Sequence, residues 1–269
     1  MKKILAPIIL SCIVLQSCAI LGTTGGSNSA NSAYNTIKII QAAQAAAVAF
    51  TISDEQIAAL SRESVIQMDR QNRIADANSK YTIRLNKLTS KIKDINGLKP
   101  NFKVYLTKDI NAFACADGSI RVYSALMDIM DDDELMGIIG HEMGHIANKD
   151  SKDALKHAYL AYAAIQAIGS TGGKIAQLTN TQLSDIAQAF IGAKYSQKQE
   201  YEADEYGFNT CVRYGFSPYG MANSLTKLVK LSNGPKASAL QQMFSSHPDS
   251  AKRAEKMMVK ADNYAKSKK

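Results

Sequence analysis

Apolar and polar positions follow two periods along this chain. Ser53-Asp54-Glu55-Gln56 opens a polar helical pattern, with Ser53 at the N-cap and Gln56 at the capping-box position. That pattern runs to Ile95, with a break near Ala77-Asn78; Asn96-Gly97 ends it and Pro100 follows. The period then drops to two. Phe102 to Leu106, Ala112 to Ala116 and Ile120 to Tyr123 predict three short strands, and Asp117-Gly118 predicts a hairpin turn between the last two. From Met130 the helical period returns. Asp131, Asp132, Asp133 and Glu134 crowd the first turn, where acids favour the helix dipole, and Leu135, Ile138, Ile139, Met143 and Ile146 form an apolar face. Further helices are predicted over Ala154 to Ile168, over Ile175 to Lys194 after a Gly172-Gly173 loop, and around Glu200 to Phe208. Ser217-Pro218 starts another with Pro at its first position, and the last begins near Pro248. The sum is one α+β domain, mostly α-helical, with a small sheet of about three strands.

The amino-terminal pattern is different. Lys2 and Lys3 precede an apolar run from Ile4 to Leu15, too short to span a bilayer and suited to a signal peptide. It ends in Leu15-Gln16-Ser17-Cys18, which resembles the bacterial lipobox. That resemblance implies removal of residues 1–17, a lipid on Cys18 as membrane anchor and, because Ala19 stands where Asp would signal inner-membrane retention, an outer-membrane location facing the periplasm. Residues 18–35 are rich in Gly, Ser, Thr and Asn and read as a flexible tether. The folded domain is expected over 36–269, beginning with an Ala-rich helix from Ile37 to Phe50.

Composition changes this picture little. Apolar residues make up 46% of the 269, enough for a core. The net charge of +8 comes from Lys spread along helices, a solvated surface or an attraction to anionic membrane, and no nucleic-acid module is present. With Cys12 in the signal and Cys18 lipidated, Cys115 and Cys211 remain, and an exported protein can either pair them in a disulfide or bury both as thiols.

The chemistry lies in His141-Glu142-Met143-Gly144-His145. Residues four apart share one face of a helix, so His141 and His145 can hold one metal ion. Glu142, at the edge of that face, can take a proton from a water that a zinc ion activates. A catalytic zinc needs a third protein ligand. A Gly at 148 with a His at 151 would supply one variant of this site, but Asn148 and Ser151 stand there. Glu200-Tyr201-Glu202-Ala203-Asp204 offers the ligand instead: Glu200 can bind zinc and Asp204, one turn on, can hydrogen-bond the far nitrogen of a ligand His. Glu202 and Glu205 point elsewhere and read as surface residues, and His157 reads as an ordinary helix residue.

At this point the chain resembles the M48 peptidases, most of all their lipoprotein or periplasmic members of the LoiP and BepA kind. The resemblance runs from about Asn96 to Met257. It rests on Asn111-Ala112-Phe113-Ala114, Arg121-Val122-Tyr123-Ser124, Glu134-Leu135 leading into the His motif, Glu200 to Asp204, and His247-Pro248 followed by Arg253. It implies a gluzincin fold with His141, His145 and Glu200 on one zinc ion and Glu142 as catalytic base. It also places His247 near the zinc, touching substrate or closing the open position. Arg253 would pair with an acid or stabilise the oxyanion. Asn111, Ala112, Phe113 and Ala114 would form an edge strand that holds an extended peptide. Gln197 departs from the Arg common in the family. The expected function is a zinc metalloendopeptidase acting on unfolded or misassembled envelope proteins. The rival is a chaperone-like factor with an idle zinc site, working with outer-membrane protein assembly machinery.

Overall fold

Four of the helices open with the same reciprocal cap, in which a side chain and a backbone N–H exchange hydrogen bonds across three residues. The computed structural model describes residues 53–166 and 179–268. In chain order these form α1 (Asp54–Gln71), α2 (Lys80–Thr89), β1 (Asn101–Tyr105), β2 (Ala112–Ala114), β3 (Ser119–Tyr123), α3 (Ser124–Ile129), α4 (Asp132–Ala147) and α5 (Asp150–Gln166). Then follow α6 (Asn180–Ile191), α7 (Gln197–Tyr214), α8 (Gly220–Ser232), a 3-10 turn (Ser238–Leu240), α9 (Gln241–Ser246) and α10 (Ser250–Ser267). Ser53 and Gln56 cap α1 as the sequence predicts, and the pairs Asp131–Glu134, Thr179–Gln182 and Ser196–Gln199 do the same for α4, α6 and α7.

The sheet has three strands in the order β1-β3-β2, with β1 parallel and β2 antiparallel to β3. The predicted hairpin is present. Gly118, at φ 91°, closes a turn in which its N–H donates to Cys115 O and the Cys115 N–H donates to Ser119 O. The pleat divides two cores. Val104, Ala112, Ala114, Ile120 and Val122 pack toward α4, whereas Tyr105, Phe113 and Cys115 pack with side chains of α1, α5 and α6.

α4 is buried from Glu134 to Ile146, on all sides rather than on the single predicted face. Its glycines make this possible. A Cβ on Gly140 would lie 2.9 Å from the Gly207 Cα, and one on Gly144 would lie 2.8 Å from the Ala203 Cα. α7 therefore runs against α4 at backbone distance, which brings its acids beside the two histidines.

Several boundaries depart from the expected pattern. The helix predicted to Ile95 is broken as expected around Ala77-Asn78, but the break is wider, from the end of α1 at Gln71 to the start of α2 at Lys80, and α2 ends at Thr89. Between them Ala75 N–H donates to Val104 O and Leu106 N–H to Arg73 O, so pairing with β1 displaces helix. Asn96 and Gly97, at φ 51° and 88°, form a tight turn joining the bridged Ile95 and Leu98 rather than a helix end. Pro218 lies in a turn and α8 starts at Gly220, while α3 had no separate signal. The signal segment, Cys18, the tether, the Ala-rich stretch and the Gly172-Gly173 loop lie outside the described residues. No helix among the described residues is long and apolar enough to cross a membrane.

Candidate metal centre

Four buried side chains from three places in the chain converge. α4 sets His141 and His145 one turn apart, with their Nε2 atoms 3.1 Å from each other. α7 supplies Glu200, whose Oε1 is 3.5 Å from His145 Nε2 and whose Oε2 is 3.9 Å from His141 Nε2. The turn between α9 and α10 supplies His247, with Nδ1 3.3 Å from His141 Nε2 and 2.9 Å from Glu200 Oε1. One donor atom from each of the four lies within 4.8 Å of all the others. A tetrahedral ion bound at zinc–nitrogen length separates its donors by about 3.3 Å, so this set fits a metal ion of that size and preference.

The outer nitrogens of the two motif histidines are occupied. His141 Nδ1–H donates to Asp204 Oδ1 at 2.9 Å, and His145 Nδ1–H donates to Asp150 Oδ2 at 3.0 Å. Both Nε2 lone pairs are thereby turned toward the shared centre. A further layer fixes the carboxylates. Arg253 donates from Nε and Nη2 to the two oxygens of Asp204, at 2.8 and 2.6 Å, and its Nη1 pairs with Glu200 Oε2. Gln199 donates to Asp150 Oδ1 at 2.9 Å while its carbonyl caps α7.

The electrostatics follow from this layering. Burial pushes the Glu200 carboxyl up, but His247, His145 and His141 outweigh it and hold the group well below the usual carboxylate range. Burial likewise raises Asp204, and the hydrogen bonds from Arg253 and His141 reverse the shift. Burial lowers His141. In His145 the same burial is overcome by Asp150 and Glu200, which raise it to about 9. The His145 proton has to leave before its Nε2 can serve as a ligand.

The geometry brings together His141, His145, Glu200, Asp204 and His247 as the sequence anticipated. Glu142 is buried beside them, its Oε1 3.9 Å from His247 Nε2. Arg253 is paired with acids, the first of the two arrangements expected for it. It is 1% exposed and its nitrogens pair with Asp204 and Glu200. β2 is an edge strand, as expected for Asn111 to Ala114, yet all four residues are buried and Phe113 is covered from α1, α5 and α6. Cys115 and Cys211 are free and lie in separate apolar clusters, so the disulfide alternative fails and the buried-thiol alternative holds. Gln197 donates to Asp249 Oδ2 at 2.9 Å. Glu202 and Glu205 are exposed as expected, and His157 is an ordinary exposed residue of α5.

Three residues escaped the sequence reading. Asp150 stands five positions past His145, off the helical face, and is turned back by Lys149 at φ 68°. Its one signal was an acid just beyond the end of the motif helix. Gln199 was hidden in a cap. Tyr195, whose ring stacks on His145 with centroids 3.9 Å apart at 14°, had none.

One family match covers this whole centre. The profile of Peptidase family M48 matches residues 82–260. Metalloprotease YcaL of Escherichia coli K12 is 42% identical over 208 residues, 77% of this chain and 80% of that protein. Metalloprotease LoiP of the same organism is also 42% identical over 208 residues, 77% of this chain and 81% of its own. The beta-barrel assembly-enhancing protease of Yersinia pestis is 28% identical over 167 residues, 58% of this chain and 34% of that longer protein. A family match that spans the donor set and its supporting carboxylates, together with identity at this level to two metalloproteases over most of their length, places the chain in peptidase family M48 as a metalloprotease.

Proposed function

We propose that the protein is a zinc-dependent endopeptidase of the cell envelope that hydrolyses unfolded or misassembled proteins. The observation that carries this reading is the union of a three-residue donor set, His141, His145 and Glu200, with a buried carboxylate, Glu142, next to the first ligand. Zinc held by that set would supply Lewis acidity toward the scissile carbonyl and acidify water at neutral pH. Glu142 accepts the proton of the attacking water and returns it to the leaving amine nitrogen. Asp204 and Asp150 keep the two imidazoles in the ligating tautomer, and Arg253 keeps Asp204 and Glu200 anionic and in place. Asn111 Oδ1 is a buried acceptor with no hydrogen-bond partner among the described residues, which suits it to receive a substrate backbone N–H. An extended peptide would lie along β2, once the side chains covering that strand move aside.

The lipobox-like Cys18 and the tether of residues 18–35 support an outer-membrane anchor with the domain of residues 36–269 facing the periplasm. One observation favours a restrained enzyme, and with it the chaperone-like reading: His247 Nδ1 stands in the fourth donor position that a working site leaves open. Replacing His247 with Ala then raises activity.

The test is cleavage of unfolded casein by wild type and Glu142→Gln, with zinc measured on both. Cleavage by wild type alone at equal zinc content supports the peptidase. Zinc in both proteins without cleavage, persisting in His247→Ala, removes it in favour of a binding role.

A further inference from the structure

Two carboxylates orient the two motif histidines, but the supports behind them are unequal. Asp204, which holds His141, is gripped at both oxygens by Arg253, and Arg253 Nη2 also comes within 3.5 Å of His141 Nδ1. Asp150, which holds His145, has the neutral carboxamide of Gln199 behind it instead of a cation. A single hydrogen bond aims an imidazole nitrogen but tolerates about 30° of bending at little cost. Tyr195 removes that slack. Its ring lies flat on His145, with centroids 3.9 Å apart and planes 14° apart. His141 has no stacked partner among the described residues: His145 and His247 meet it edge-on, at 90° and 70°. The imidazole with the weaker carboxylate support is thus the one that carries an aromatic face.

Tyr195 is itself held on two sides. Its N–H donates to Ser246 O at 3.2 Å. Ser196, the next residue, is the N-cap of α7 and exchanges hydrogen bonds with Gln199. The residue before such a cap commonly packs on the fourth residue of the helix when both are apolar. Here the fourth residue is Glu200, and the ring covers the neighbouring imidazole instead, whose Nε2 is 3.5 Å from Glu200 Oε1. One short stretch of chain therefore supplies a donor, the backing of Asp150 and the stacked ring.

We propose that Tyr195 is a positioning residue for metal binding, whose ring sets the plane of His145 and so the direction of its Nε2 lone pair. The working element is the flat aromatic face, not the hydroxyl. An imidazole coordinated to a cation is electron-poor and is attracted to the electron-rich face of a phenol, so the stack favours the ligating state. The inference rests on the donor set of the peptidase reading, and adds to it a residue that acts on the centre through His145.

The experiment measures zinc affinity of the full chain by chelator competition, and the visible absorption of cobalt bound in place of zinc, which reports the arrangement of the ligands. Tyr195→Phe keeps zinc affinity within about twofold. Tyr195→Leu, checked in Tyr195→Met, loses roughly 3- to 10-fold and shifts the cobalt bands at saturation. Combined with Asp150→Ala, Tyr195→Leu loses more than the product of the two separate effects, because each group restrains the turning that the other leaves open. A merely structural role predicts a lower urea midpoint for metal-free Tyr195→Leu with the zinc affinity and cobalt bands of wild type, and that result overturns the proposal. A loss in Tyr195→Phe as large as that in Tyr195→Leu also overturns it, since the hydroxyl is then the working group. Tight zinc binding by wild type with no effect of either non-aromatic variant strikes this inference alone. Failure of wild type to bind zinc overturns the donor set, and with it both this inference and the peptidase reading.

Discussion

Arg253 grips both oxygens of Asp204, at 2.8 and 2.6 Å, while Asp204 holds His141 Nδ1 at 2.9 Å. A residue of the last helix thus reaches the His141 imidazole through one carboxylate. Removing the guanidinium leaves Asp204 and Glu200 buried without a cation, and breaking such a pair costs about 3–5 kcal/mol. Arg253→Ala is expected to lower stability by that order in urea titration and to weaken zinc binding in chelator competition. Arg253→Lys does not restore affinity, because an ammonium cannot engage Asp204 bidentately and Glu200 as well.

Asp150 performs for His145 what Asp204 performs for His141, though no Arg stands behind it; Gln199 does, at 2.9 Å. Asp150→Ala is expected to weaken zinc binding by roughly 10- to 100-fold, the usual effect of removing a carboxylate that orients a ligand histidine. Gln199→Ala should have a smaller effect in the same titration. An Asp150 variant with wild-type affinity would mean that Tyr195 stacking alone holds the ring.

Away from the centre, Asp69 of α1 accepts from Arg121, Lys103 and Tyr105 and ties that helix to the sheet. Burial raises its carboxyl, but those hydrogen bonds prevail and hold it below its ordinary value of 3.8. A carboxylate depressed on folding contributes stability that is complete above the unfolded value and is lost as pH falls through the folded one. Asp69→Asn should therefore cost ~3 kcal/mol at pH 7. Its urea midpoint should also change less than that of wild type below about pH 4, the window set by the unfolded carboxyl.

The two thiols should be silent. Burial pushes Cys115 well above the ordinary thiol range and Cys211 to about 12. The thiolate is the reactive form, so neither residue is expected to react with a disulfide reagent at pH 8 in the native protein. Peptide mapping should find both modified after unfolding in urea, and no peptide joining the two under non-reducing conditions.

The sequence by itself determined what depends on neighbours a few residues apart. The Ser53–Gln56 cap, the Asp117-Gly118 hairpin and the shared face of His141 and His145 follow from local geometry, and each is present. Glu200 and Asp204 were also legible, because their one-turn spacing matches the demands of an incomplete ligand set. Only the tertiary structure decided the rest. Helix gave way at Asn72 to Ser79 because β1 offered that segment backbone partners. Arg253 found two carboxylates, Asp204 and Glu200, because α10 packs it against them. Asp150 reached His145 because Lys149 reverses the chain. His247, placed near the centre by the family resemblance, owes its contact with His141 to a turn 106 positions away, which no local rule sets. The local rules are short-ranged, whereas burial presses most polar groups in the interior to find a partner, and that partner is chosen by packing.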